Sequence, residues 1–147
     1  MRSDYTAILD QLQASAAWGA ELRREGMTLL SGLEGWNWCG IYRLEGEVLV
    51  LDEYVGAATD HTHIPVGRGV CGTAVAENSN QVIPDVQALD NYLACSLETK
   101  SELVVLIREG STILGQIDID GHKVGQFSCE EEAFLERMGV ILSERWK

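Results

Sequence analysis

The chain has 147 residues, the length of one ordinary domain, and with 46% hydrophobic residues it can bury one substantial core. A formal charge of -12, with only 11 Lys and Arg and no basic run longer than Arg23-Arg24, excludes a partner bound through a phosphate backbone, which needs clustered cations. No apolar stretch is long enough for a secretory leader or a membrane span, so the expectation is a cytoplasmic protein, a single domain over 1–147, with neither nucleic acid nor membrane among its partners.

The first 31 or so residues read as helix, with Tyr5, Ile8, Leu9, Leu12, Ala16 and Ala20 at three- and four-residue spacing and Gly26 and Gly32 breaking the pattern. WNWCGIYRL and EVLVLDEYV then read as two strands of a hairpin about Glu45-Gly46-Glu47. A loop from Gly56 to His63 leads through Ile64-Pro-Val-Gly-Arg-Gly-Val-Cys-Gly into a short helix from Thr73 that ends at Asn78. Gln81-Val-Ile-Pro is a short strand candidate, and Asp85 to Lys100 is irregular or briefly helical. Glu102–Arg108 and Thr112–Asp120 form a second hairpin about Glu109-Gly110-Ser111. Ser128 and Glu131 make a capping box that opens a final helix, with Phe134, Leu135, Met138, Ile141 and Leu142 on its apolar face. Antiparallel hairpins between terminal helices predict an α+β fold, with helices on one face of the sheet and the middle segment free to cover the other.

Strand alternation puts Trp38, Gly40 and Tyr42 on one face and Cys39 and Ile41 on the other, and it sets Asp118 and Asp120 together. The Asp pair fits a solvated face, the commonest strand pattern, or a pocket with paired acids suited to an amine; spacing does not choose. The glycine run 67–72 lacks the Gly-Lys-Ser/Thr ending of a phosphate loop and reads as a tight turn before a helix. The four cysteines, at spacings of 32, 24 and 34 residues, match neither a disulfide framework nor a zinc template. Cys71 lies near a helix start, where the dipole favours a thiolate, and Cys95 lies in the irregular middle that often carries reactive groups. Either also fits a small buried residue, the reading kept for Cys39 and Cys129. His61 and His63 could join Cys71 or Cys95 around a metal, but a two-residue spacing is a weak pattern, so a loop pair is the default and no metal is expected.

Taken together, Asn37-Trp-Cys-Gly-Ile-Tyr, the nonapeptide 64–72 with Thr73-Ala74, Ile83-Pro-Asp-Val, Ala94-Cys95, Ser101-Glu-Leu-Val and Ile117-Asp-Ile-Asp strongly resemble the free methionine-(R)-sulfoxide reductases, a GAF-domain family. The match runs in order over about residues 36 to 135. It implies a GAF fold, a central antiparallel sheet with the N- and C-terminal helices on one face and a ligand pocket on the other. It also implies roles: Cys95 as the catalytic thiol, Cys71 as a member of the thiol relay, Glu102, Asp118 and Asp120 as acidic substrate-binding residues, and Trp38 and Tyr42 as the aromatic wall.

The activity so implied is reduction of free methionine-(R)-sulfoxide through a sulfenic acid on Cys95, with thioredoxin or another thiol as reductant and no metal or organic cofactor. GAF domains in general also point to a homodimer through the terminal helices. The chain departs from the family at His61, which stands about where a resolving cysteine commonly precedes the nonapeptide, and at Leu106 or Ile107, where a proline is usual. Two other classes share the resemblance. A non-catalytic GAF sensor usually carries an output domain, which this chain lacks up to Lys147; a degenerate scaffold would account for the missing thiol.

Overall fold

In a computed structural model that describes residues 1–89 and 98–147, the chain forms helices α1 (Ser3–Ala14) and α2 (Gly19–Ser31), then strands β1 (Trp38–Glu45), β2 (Val48–Val55) and β3 (His63–Pro65). Helix α3 (Gly69–Glu77), strand β4 (Gln81–Ile83), a 3-10 turn (Val86–Ala88), strands β5 (Ser101–Glu109) and β6 (Thr112–Gly121) and helix α4 (Cys129–Glu144) follow. Cys95 lies outside the described residues, as does the rest of 90–97. The strands pair antiparallel into one sheet in the order β3-β2-β1-β6-β5-β4. Among the described residues no helix is long and apolar enough to cross a membrane.

Both anticipated hairpins form, and Gly46 takes φ +64° in the first turn, a backbone that side chains other than glycine rarely adopt. The N-terminal helix is corrected to two. After α1 the chain turns out at Ser15, and the Arg145 guanidinium donates to the carbonyls of Leu12, Ser15 and Ala17 at 2.9, 2.6 and 3.2 Å. The residue 130 positions downstream thus caps carbonyls that the end of α1 leaves without helical partners. Gly26 does not end a helix; it lies buried inside α2, facing Leu12 and Met138. Replacing Arg145 with Ala is expected to lower folding stability by about 2 kcal/mol, since it strips charge-assisted hydrogen bonds from the end of α1; urea denaturation measures it, and an unchanged midpoint would remove the cap from the account.

Two further boundaries move. Strand β3 forms where a loop was expected, pairing Val48 with Pro65 and Val50 with His63 at the sheet edge; three residues are too few to show alternation. Helix α3 begins at Gly69 rather than Thr73, so Gly69 and Gly72 of the run read as a turn fall in its first turn while Gly67 stays in the turn before it, and Asn78 closes the helix at φ 53°.

The sheet separates two apolar layers. Cys39, Ile41, Leu103, Val105, Ile117 and Ile119 face α1, α2 and α4, where Tyr5 stacks on Phe134 at 4.3 Å and donates its hydroxyl to Glu131 at 2.7 Å. Glu131 also closes the capping box with Ser128. The other face carries Trp38, Tyr42, Val104 and Leu106, and α3 lies over it through Val70, Cys71 and Ala74. Terminal helices thus pack on one side, and the middle segment on the other, as the alternation predicts.

Candidate active site

Three neighbouring strands bring the family residues onto the face under α3. In the β1–β6 pairing Trp38 stands opposite Asp120, Gly40 opposite Asp118 and Tyr42 opposite Gln116. In the β5–β6 pairing Glu102 stands opposite Asp120 and Val104 opposite Asp118. Directly paired residues share a face, so one register places two aromatic rings, three acids and an amide on the same surface.

The aromatic wall depends on a missing side chain. A Cβ at Gly40 would overlap the Trp38 ring, so glycine lets the indole lie back along β1. The ring stacks on Tyr54 at 5.5 Å and 19°, and its Nε1 donates to the Ala57 carbonyl at 2.9 Å. Tyr42 lies 6.5 Å from Trp38 and donates its hydroxyl to the His61 carbonyl at 2.8 Å, which ties the loop before β3 to the site.

The acids are buried, Asp118 and Asp120 at 1% exposure and Glu102 at 4%, which rules out the solvated-face reading of β6. They divide between two recesses. A small cavity of about 10 Å³ is lined by Tyr42, His61, Cys71, Glu102 and Asp118, with Arg68 among its lining residues. A larger recess of about 200 Å³ carries Trp38 and Asp120 with Asn37, Glu98, Thr99 and His122. Burial pushes the Asp118 carboxyl above the usual carboxylate range, although hydrogen bonding with Glu102 and Cys71 favours its charged form. Its Oδ1 has no hydrogen-bond partner among the described residues.

Cys71 enters this cluster from the third residue of α3, with its Sγ 3.8 Å from Glu102 Oε2. The expectation of a thiolate there is corrected. Burial first, then the charges of Asp118 and Glu102, push the thiol well above its ordinary range, and a helix dipole acting over one turn does not offset full desolvation beside two acids. Cys39 is a buried residue of the helix face, its thiol likewise pushed up by burial. Cys129 is exposed, which corrects its reading as a small buried residue: the capping box at Ser128 holds the opening turn of α4 in solvent.

Two residues of this face and its rim were not singled out from the sequence. Gln116 lies two residues before Asp118 on the same face, and its Nε2 donates to the Cys71 carbonyl at 3.1 Å, fastening α3 to β6. Period-two alternation would have found it. His122, 3.5 Å from Glu98, lies beyond the end of β6, where periodicity says nothing.

No family model matches the chain. The free methionine-R-sulfoxide reductase of Escherichia coli K12 is 36% identical over 144 residues, covering 98% of this chain and 85% of that protein. Among solved structures, the free methionine-R-sulfoxide reductase of Neisseria meningitidis in complex with its substrate superposes with a TM-score of 0.89 at 30% identity, over 97% of this chain and 87% of the other. A structure described as a GAF domain gives a TM-score of 0.80 at 28% identity, over 98% and 90%. With that identity running through nearly the whole chain, the protein belongs to the free methionine-R-sulfoxide reductases, an oxidoreductase family built on the GAF fold.

Proposed function

We propose that this chain reduces free L-methionine-(R)-sulfoxide to methionine, with Cys95 as the nucleophile. The observation that carries the reading is the buried acid pair on β6 beside Glu102, with Asp118 pushed toward its protonated form where a departing oxygen needs a proton. In the net reaction the Cys95 thiolate attacks the sulfoxide sulfur, two electrons pass to that sulfur, and the oxygen leaves on Cys95 as a sulfenic acid, with Asp118 supplying the proton. Glu102 and Asp120 hold the ammonium group, and Trp38 and Tyr42 pack the thioether end. A peptide-bound methionine sulfoxide has lost that ammonium, so the carboxylates select the free amino acid. Incubation with dithiothreitol and each sulfoxide epimer, with methionine measured by chromatography, tests this; a sensor or an inert scaffold would release none.

For recycling, the thiol of Cys71 attacks the Cys95 sulfenic acid, forming a Cys71–Cys95 disulfide and water, and thioredoxin or another dithiol then reduces the disulfide. Forming this disulfide requires the two Cα atoms to come within roughly 7 Å. Because its surroundings hold the Cys71 thiol protonated, the resolving step requires a carboxylate neighbour to take the proton, and Glu102 is 3.8 Å away. A Cys71→Ser variant is expected to keep its turnover with dithiothreitol and lose at least about tenfold with thioredoxin. Peptide mapping after one turnover without reductant checks the pairing. A stable sulfenic acid on Cys95 in the wild type would mean that an outside thiol resolves it and that His61 marks a changed route.

A dithiol-driven cycle suits the reducing cytoplasm. A homodimer through the terminal helices is proposed on the general pattern of GAF domains; sedimentation at twice the 16.2 kDa chain mass is the expected result, and a monomer at micromolar concentration would overturn it.

A further inference from the structure

Cys71, Glu102 and Asp118 converge from α3, β5 and β6, each buried, and one donor atom from each lies within 4.8 Å of the others. Two observations besides the clustering point to a ligand among them. Among the described residues Asp118 Oδ1 lacks a hydrogen-bond partner although its residue is 1% exposed, a costly state for a carboxylate oxygen. All three residues also line the same cavity of about 10 Å³, which is the space of roughly one water. An amino acid does not fit in that volume without movement of the walls. A bare cation does.

We propose that these three side chains form a binding site for a soft divalent cation, zinc or cadmium, whose occupancy competes with the amino-acid substrate. One thiolate and two carboxylates are the donor set such ions take, and three protein ligands leave a fourth position for water. Bond lengths near 2.3 Å to sulfur and 2.0 Å to oxygen in a tetrahedron set the sulfur–oxygen separation at about 3.5 Å. Cys71 Sγ and Glu102 Oε2 are 3.8 Å apart, so only a small adjustment is needed. Binding exchanges the thiol proton, and any proton held by the carboxyls, for the metal, so no oxidant or reductant is involved. The dication also offsets the mutual repulsion of the buried acids. The competition half of the proposal rests on the substrate reading above; the binding half does not.

The test is a titration of the reduced, metal-free Cys129→Ser protein with cadmium, following the thiolate-to-cadmium charge-transfer absorption in the ultraviolet. Removing the exposed thiol of Cys129 excludes binding at that position. The expected result is saturation at one equivalent, loss of the band in an added Cys71→Ser change, and at least tenfold weaker binding in Asp118→Asn and Glu102→Gln, each checked for native circular dichroism. A band that survives Cys71→Ser, or binding undiminished in both carboxylate variants, overturns the site, as does the absence of any band. In an added Cys95→Ser background, which cannot turn the substrate over and so cannot oxidise Cys71, excess free methionine-(R)-sulfoxide is expected to raise the apparent cadmium Kd at least tenfold. An unchanged Kd overturns the competition and leaves the site standing. Absence of reductase activity in the metal-free protein, with the cadmium band still formed on titration, would instead count against the catalytic reading alone.

Discussion

Cys95→Ser is expected to abolish reduction of free methionine-(R)-sulfoxide, by at least about 10³-fold in kcat, even with dithiothreitol as electron donor. Dithiothreitol removes the need for a resolving thiol, so the assay isolates the first chemical step. A serine hydroxyl keeps the size of the thiol but is not ionised near neutral pH and cannot carry the sulfoxide oxygen as a sulfenic acid. Substrate affinity should persist, because the acids and aromatic rings on β1, β5 and β6 are untouched; binding can be followed through the fluorescence of Trp38. Cys129→Ser, at an exposed position, serves as the control and should leave turnover within twofold. Wild-type activity in Cys95→Ser would remove that residue from the mechanism.

The second large effect is expected at the β6 acids. Asp118→Asn should lower kcat by about 10²-fold or more, since it deletes a proton source, whereas Asp120→Asn should act mainly on KM, by well over tenfold, since it deletes a charge facing the ammonium. Stability should move the other way for Asp118. Its folded pKa is raised above the unfolded value of about 3.9, so its contribution to stability is fully present below that value and is lost as pH rises through the folded pKa. Asparagine has no such loss. The Asn variant should therefore gain on wild type between pH 4 and pH 7, read as the difference in urea midpoints at the two pH values. Unchanged kinetics in both variants would show that the buried acids are structural.

The motifs carried the family, and alternation carried the two faces of the sheet: Trp38, Gly40 and Tyr42 fall together opposite Cys39 and Ile41, as the spacing predicts. The capping box at Ser128 and the apolar stripe of α4 were equally legible, because local hydrogen bonds and helical periodicity are written in adjacent residues.

What the sequence by itself determined, then, is the two hairpins, the capped final helix, the faces of the strands and the kinship; the tertiary structure alone decided burial. A strand reading Ile-Asp-Ile-Asp has the same pattern whether its Asp face meets water or protein, and only tertiary packing puts it out of solvent: Asp118 beside Cys71 of α3, Asp120 in the recess with Trp38 and Thr99. The same packing reverses the expected state of Cys71, because desolvation and two carboxyl neighbours act through space and leave no mark in the spacing of residues. The division of the acids between two recesses and the capping of the end of α1 by Arg145 have that cause too: each depends on which distant segments touch, and a local pattern cannot encode a contact between residues 12 and 145.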